Sequence, residues 1–358
     1  MLTPKPRLPI REMLLVGLLP SPLKILVYRL KGYAIGRGVS FGLGAVICAE
    51  KVEIGDHVHI GFGSSIRGKT VRLGSHVQIG AMTLMDTPHV EIGEGTKINE
   101  QVFVGGLQFP DSRLVVGRNC QIMQMTFINP CRSITIGDDT GIGGDCLLFG
   151  HTSWLSKFEG YPVTFDTIEI GSSVSIAWRV FVLAGTKIAD GAVVGANSLV
   201  KGSIPPRCVA VGFPAKVIAK APYFPRVVSD EEKRQFLAEI LDEFERHLLA
   251  NDFRLERRDS TLIVHARAPW WKPWQRRTFQ LQVAAQPLSG EAISAHGSDA
   301  TLVSLCAVGA ALRQRLAGER TAWVDIENKE RSDYGNDLAE EFIQYLKRYG
   351  VRLLRARL

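Results

Sequence analysis

In this 358-residue chain the residue types best suited to chemistry gather in one stretch. It reads Gly150-His151-Thr152-Ser153-Trp154 and continues to Phe158-Glu159-Gly160-Tyr161-Pro162-Val163. An imidazole with an ordinary pKa of about 6.5 can take a proton from a hydroxyl near neutral pH and return it to a leaving group. His151 is therefore the candidate general base. Its other ring nitrogen needs an orienting acceptor, for which Asp145, Asp139, Glu159 or a backbone carbonyl are at hand, and Asp145 is the assigned partner. An oxyanion formed on attack would need a backbone N–H from a neighbouring element. Trp154 and Tyr161 offer ring faces for an acceptor molecule. His57, His59, His76 and His89 lack such a setting and are expected to face solvent.

What positions this stretch is a repeat of six. Apolar residues recur at Ile35, Phe41, Ile47, then Ile54, Ile60, Ile66, then Leu73, Ile79, Met85, then Ile92, Ile98, Val104. The register resumes at Val116, Ile122, Ile128, at Ile136, Ile142, Leu148, and from Ile170 through Ile176, Val182, Ile188 and Val194 to Val200. Glycine follows 13 of these 24 positions, and a small or β-branched residue usually stands four after each. Six residues are too few for a helix and its turn but suit one short strand plus a corner. The apolar residue points inward, and glycine is expected to tolerate the dihedrals of the corner. Three units close one triangular coil, and stacked coils pair as parallel strands, so the pattern predicts a mostly β parallel solenoid over residues 35–220.

The period breaks twice. One break runs from Val104 to Val116 and contains Phe109, Pro110 and Asp111; the other runs from Leu148 to Ile170 and carries His151. A uniform solenoid has no pocket of its own, so breaks are where function is expected.

These residues resemble the hexapeptide-repeat acyltransferases, most closely the maltose and galactoside O-acetyltransferase branch. The resemblance rests on the six-residue period, the Gly150-His151 dipeptide with its loop and the following Ile168-Glu169-Ile170-Gly171, and the ending Ile204-Pro205-Pro206 with Gly212-Phe213-Pro214-Ala215-Lys216. It implies a left-handed β-helix, a homotrimer, acetyl-CoA as co-substrate without a metal, and His151 as the base for direct transfer to a hydroxyl of a sugar or glycan precursor. An amino-sugar N-acetyltransferase and a noncatalytic scaffold are the alternatives. Ala177 and Ala196 match positions where the pantetheine lies against the wall, and Lys201 and Lys216 would meet phosphates or adenine. Trp178 is also assigned to the coenzyme, although Ser175 stands where the branch often has tryptophan. Asn129 is the nearest candidate for the family's acceptor-binding asparagine, out of register. The three-histidine zinc set of the gamma-class carbonic anhydrases needs a pair five apart, and no such pair occurs.

Composition narrows the rest. The net charge of +7 is concentrated at the start, where residues 1–34 hold six basic residues and one acidic, while residues 230–358 balance at 20 and 20. No broad nucleic-acid face is implied. Six cysteines without C-x-x-C spacing point to a reducing cytoplasm rather than to disulfides or zinc. Residues 1–34 form a basic, apolar segment with two runs around Pro20-Ser21-Pro22, each too short to span a bilayer. It is expected to lid the first coil, with peripheral contact at the inner membrane face as a second use.

From residue 229 the pattern turns helical, with Ser229 as N-cap, and residues 229–358 are expected to form an α+β or α/β domain. Strands are expected near Phe253, Thr261, Thr278, Ala322 and Val351, and helices at Asp299–Leu316 and Asn336–Tyr349. Trp270, Trp271 and Trp274 with nearby cations, and Asp325 with Glu327 and Asp333, are its chemistry-bearing clusters.

Overall fold

The computed structural model describes residues 9–258, 260–266, 277–285 and 297–356, and the chain divides after Arg226 into two compact units. Residues 270–276, with the three tryptophans, lie outside the described residues.

The first unit is a three-sided parallel β-helix. Its first face is a nine-stranded sheet from Ala34–Ile35 to Ser203–Ile204, and its second a ten-stranded sheet from Ser40–Phe41 to Cys208–Gly212 and Ala215–Lys220. The third is an eight-stranded sheet from Val46–Cys48 to Leu199–Val200. The six-residue period is the coil itself: Ile54, Leu73, Ile92, Val116 and Ile136 stand in one parallel register, as do Ile60, Ile79, Ile98, Ile122 and Ile142. All of these are 4% exposed or less. Each rung thus buries one large aliphatic side chain from each face, and the rungs stack into a single core.

The glycine after each inward residue does a different job from the one expected. At Gly74 an added Cβ would stand 2.6 Å from the Glu94 nitrogen, and at Gly93 2.6 Å from the Gly117 carbonyl carbon. These glycines let consecutive coils approach. The left-handed corner sits two residues further on, at His57, His76, Asn119, Asp139 and Ser173, with φ between 55° and 59°. Glycine also takes this corner, at Gly95 and Gly191, and whatever the residue, its backbone N–H bonds to the coil before, as Ser173 does to the Asp138 carbonyl at 2.8 Å.

Two helices cover the open end of the first coil. We label them α1 (Ile10–Leu15) and α2 (Ser21–Leu30). Ser21 Oγ accepts the Phe41 N–H at 3.0 Å, and the Tyr28 hydroxyl accepts the Ile47 N–H at 2.9 Å. Lys24, fully buried, donates to the carbonyls of Gly42 at 2.6 Å and Ala45 at 3.2 Å. The lid therefore satisfies edge groups that the stack leaves unpaired.

Among the described residues the second unit is a seven-stranded mixed sheet with three α-helices, α3 (Asp230–Ala250), α4 (Ala310–Gly318) and α5 (Asp337–Leu346). Ser229 and Glu232 close a capping box on α3. The helix expected over Asp299–Leu316 is instead a strand, Ala300–Ser304, followed by α4. All five strand residues are buried between parallel neighbours, and such a continuous apolar run hides the alternation that marks a half-exposed strand. The acidic cluster is structural. Buried Asp325 accepts from the N–H groups of Val308 and Asn328, Glu327 accepts from Ala307, and Asp333 pairs with Arg355.

Candidate functional site

Both breaks in the period leave the solenoid at one edge, where the third face turns into the first. Val104, Ile128 and Leu148 are in register on the third face, so Gly105, Asn129 and Phe149 follow one another along this edge. The loops touch: the rings of Phe109 and Phe165 meet edge-on at 5.3 Å, and Arg132 lies 3.8 Å over Phe109.

His151 stands at the root of the second loop. It forms a short antiparallel ribbon in which His151 and Thr152 face Phe165 and Thr164. The ribbon is tied to the coil before it, because the Gly150 N–H donates to the Asn129 carbonyl at 3.0 Å and Gly150 in turn accepts from Asp166 at 3.0 Å. The half-buried ring has Phe149 at 6.0 Å and Phe165 at 6.4 Å, and Ser153 Oγ lies 3.2 Å from Nδ1. Burial lowers the imidazole's pKa from 6.5, because the cation loses solvation among these rings. In the tautomer whose Nδ1–H donates to the Ser153 hydroxyl, Nε2 is the nitrogen able to take a proton.

Asp145 does not reach this ring. It sits at the opposite edge of the third face, in a left-handed corner, and pairs with Arg179 at 3.6 Å. Trp178 lies at that same edge, 43% exposed, with its ring packed over Gly144. Half-buried Ala177 and exposed Ala196 follow there, and the Asn197 N–H donates to the Trp178 carbonyl at 3.1 Å. A single chain thus separates Ala177, Trp178 and Ala196 from His151 by the width of one face. Lys201 is exposed on the His151 edge two coils on, and Lys216 is exposed on the terminal hairpin of the second face, opposite Val211. Trp154 and Tyr161 are on the loop, 96% and 46% exposed.

Asn129 is 2% exposed, and its Oδ1 has no hydrogen-bond partner. Its side chain fills the space where Gly106 would carry a Cβ, 2.5 Å from Nδ2. The asparagine therefore belongs to the His151 edge, where both loops begin.

One feature of the third face escaped sequence reading. Phe103, Phe127 and Phe149 stack at 5.1 Å spacing, with Phe181 at 5.5 Å, along the outside of this face toward His151. Each flanks an inward residue, and the signal lay in comparing outward positions between faces. The first face shows Glu53, Arg72, Glu91 and Glu169, and the second His59, Gln78, Lys97 and Gln121. Among the described residues no group of three His, Cys, Asp or Glu side chains could hold a metal ion.

Over 113 residues the chain is 38% identical to a putative lipopolysaccharide biosynthesis O-acetyl transferase, WbbJ, of Escherichia coli, spanning 28% of this chain and 58% of that protein. Over 127 residues it is 31% identical to the galactoside O-acetyltransferase of the same organism, spanning 35% of this chain and 59% of that one. The chain thus spans under two thirds of the length of the curated relatives it matches. A solved UDP-N-acetylglucosamine acyltransferase from Campylobacter jejuni overlaps 62% of this chain and 87% of its own at 17% identity and a TM-score of 0.38, a likeness too slight to argue from. No known family profile matches the chain. The O-acetyltransferase resemblance read from the sequence is borne out by these relatives.

Proposed function

We propose that the protein is an acetyl-CoA-dependent O-acetyltransferase acting on a hydroxyl of a sugar or glycan precursor. The observation that carries this reading is the half-buried imidazole of His151, its pKa lowered by burial, at the root of the loop that breaks the solenoid. His151 Nε2 removes the proton of the acceptor hydroxyl as its oxygen attacks the thioester carbonyl, and the collapsing intermediate expels the CoA thiolate, which takes the proton back. The acetyl group passes directly, so no acyl-enzyme forms. Ser153 holds the ring by Nδ1. Asn129, buried with a free carbonyl oxygen beside this loop, serves the acceptor side, with Trp154 and Tyr161 as ring faces.

Coenzyme A lies between adjacent copies of a trimer, along the edge that carries Ala177, Trp178 and Ala196, with Lys201 and Lys216 toward its phosphates. Support for this comes from the separation of the two edges within one chain and from the apolar third face between them. Packing copies through that face sets the coenzyme edge of one against the His151 edge of the next.

The test is transfer of isotopically labelled acetyl groups to soluble-sugar and lipid-linked-glycan extracts, with His151→Ala alongside. Base-labile label formed only by the native chain is expected. Base-stable label would mean an amine acceptor, and neither transfer nor acetyl-CoA binding by calorimetry would end the enzyme reading.

A further inference from the structure

The lid helices carry a second surface that covering the first coil does not use. While Lys24 and Tyr28 turn inward, Ile10, Leu14, Leu15, Leu18, Leu23, Leu26 and Leu30 are each between 49% and 80% exposed. On α2 the exposed leucines fall at Leu23, Leu26 and Leu30, one face of the helix, opposite the face that meets the coil. Seven exposed aliphatic side chains within one short lid exceed the scattered singles of an ordinary surface and mark an interaction site.

Its charge says what the partner is. Arg11, Arg29 and Lys31 are exposed around the leucines, and the single carboxylate of α1 and α2, Glu12, is half-buried. The Arg29 guanidinium is fixed at the rim by donating to the carbonyls of Ile35 at 2.9 Å and Gly36 at 3.2 Å. Beside α1 opens a cavity of about 550 Å³ whose lining includes Arg11, Lys31 and Arg67 against Glu12 and Glu50. A second copy of this surface would set its cations against themselves, with no exposed carboxylate on either helix to answer them. A layer of anionic headgroups over acyl chains answers both parts. Aliphatic side chains enter the acyl boundary, and arginine and lysine stay at headgroup level. Among the described residues no helix is long and apolar enough to cross a membrane, so contact by this surface is interfacial.

We infer that the outer face of α1 and α2 docks the protein on an anionic bilayer surface. Together with the proposed function, this makes the acceptor a lipid-carried glycan; the docking itself does not depend on that function.

The experiment is flotation of the full chain with vesicles of phosphatidylcholine alone or mixed with phosphatidylglycerol, at low and high salt. The native chain is expected to float with the mixed vesicles and to release at high salt. Leu14→Glu with Leu26→Glu should cut the bound fraction at least tenfold, and Arg11→Glu with Lys31→Glu should abolish the preference for phosphatidylglycerol, both with unchanged circular dichroism. As a second readout, Leu26→Trp emission should move to the blue with mixed vesicles. Failure of the native chain to float, flotation indifferent to the leucine pair, or a solution mass that falls on Leu26→Glu without vesicle binding would each overturn the inference, the last by assigning the face to a second copy. Acetyl transfer plays no part in these readouts, so vesicle binding by a chain that transfers nothing would sink the proposed function alone.

Discussion

At the scale of one residue, the setting of His151 makes a prediction about protons. Burial disfavours the imidazolium, so the base-competent neutral form persists to lower pH than in a free histidine. The rate kcat/KM should therefore fall only on the acid side, with a midpoint below 6.5, and stay level from neutrality upward. A midpoint above that value would assign the titration to another group. His151→Ala should lower turnover by about 10²- to 10⁴-fold, the usual share of general base catalysis, and leave acetyl-CoA affinity within about threefold. An alanine variant that keeps its rate removes His151 from the chemistry. The sequence exposed this residue because it stands where a strict period stops. Asp145 misled for the converse reason: sequence proximity to His151 hides the fact that a three-residue strand carries the chain from one edge of the third face to the other. Asn129 could be seen only as out of register, since its place beside Gly106 and Gly150 is set by coils above and below.

At the scale of the element, inward apolar residues are legible because every sixth position enters one core, whereas the division of labour between glycine and corner is not. Composition alone puts glycine at the bend, but the bend is Ser173 or Asp139 as readily as Gly95 or Gly191, and the glycine after the inward residue marks the closest approach of neighbouring coils. The two roles separate by substitution. Gly93→Ala pushes a methyl to 2.6 Å from the next coil's backbone and should cost about 1 to 3 kcal/mol in denaturant titration. Ser173→Gly relieves a left-handed φ of 55° while loosening the unfolded chain, and should leave stability unchanged or raise it by up to about 1 kcal/mol. A loss at Ser173→Gly would mean that the serine side chain holds its corner, and no loss at Gly93→Ala would mean that coil spacing is not what glycine supplies. In the second unit the strand Ala300–Ser304 stayed hidden because full burial on both sides erases the alternation that betrays a half-exposed strand.

At the scale of the whole molecule, the question is what covers the third face of the solenoid. Its neighbours present carboxylates, cations and amides to water, but here Leu84, Phe103, Phe127, Leu147, Phe181 and Leu199 alternate with the core rungs. The interior of these coils is already filled by Met85, Val104, Ile128 and Leu148, and the outer phenylalanines stack only on one another. The apolar area they and the leucines leave outward is buried only when a second wall meets it. In the proposed trimer every copy is equivalent, and the two edges that one chain keeps apart would be joined. Leu147→Asp is the discriminating change, since Leu147 is 38% exposed and points away from the core that Leu148 fills. Burying an unpaired carboxylate in each of three joints should cost about 3 kcal/mol or more per joint, enough to leave monomers at micromolar concentration by light scattering. Circular dichroism should not change, while acetyl transfer should fall with the trimer although His151 is intact in every chain. Monomers that transfer acetyl groups as fast as the native protein would place the coenzyme within a single solenoid and detach the apolar face from catalysis.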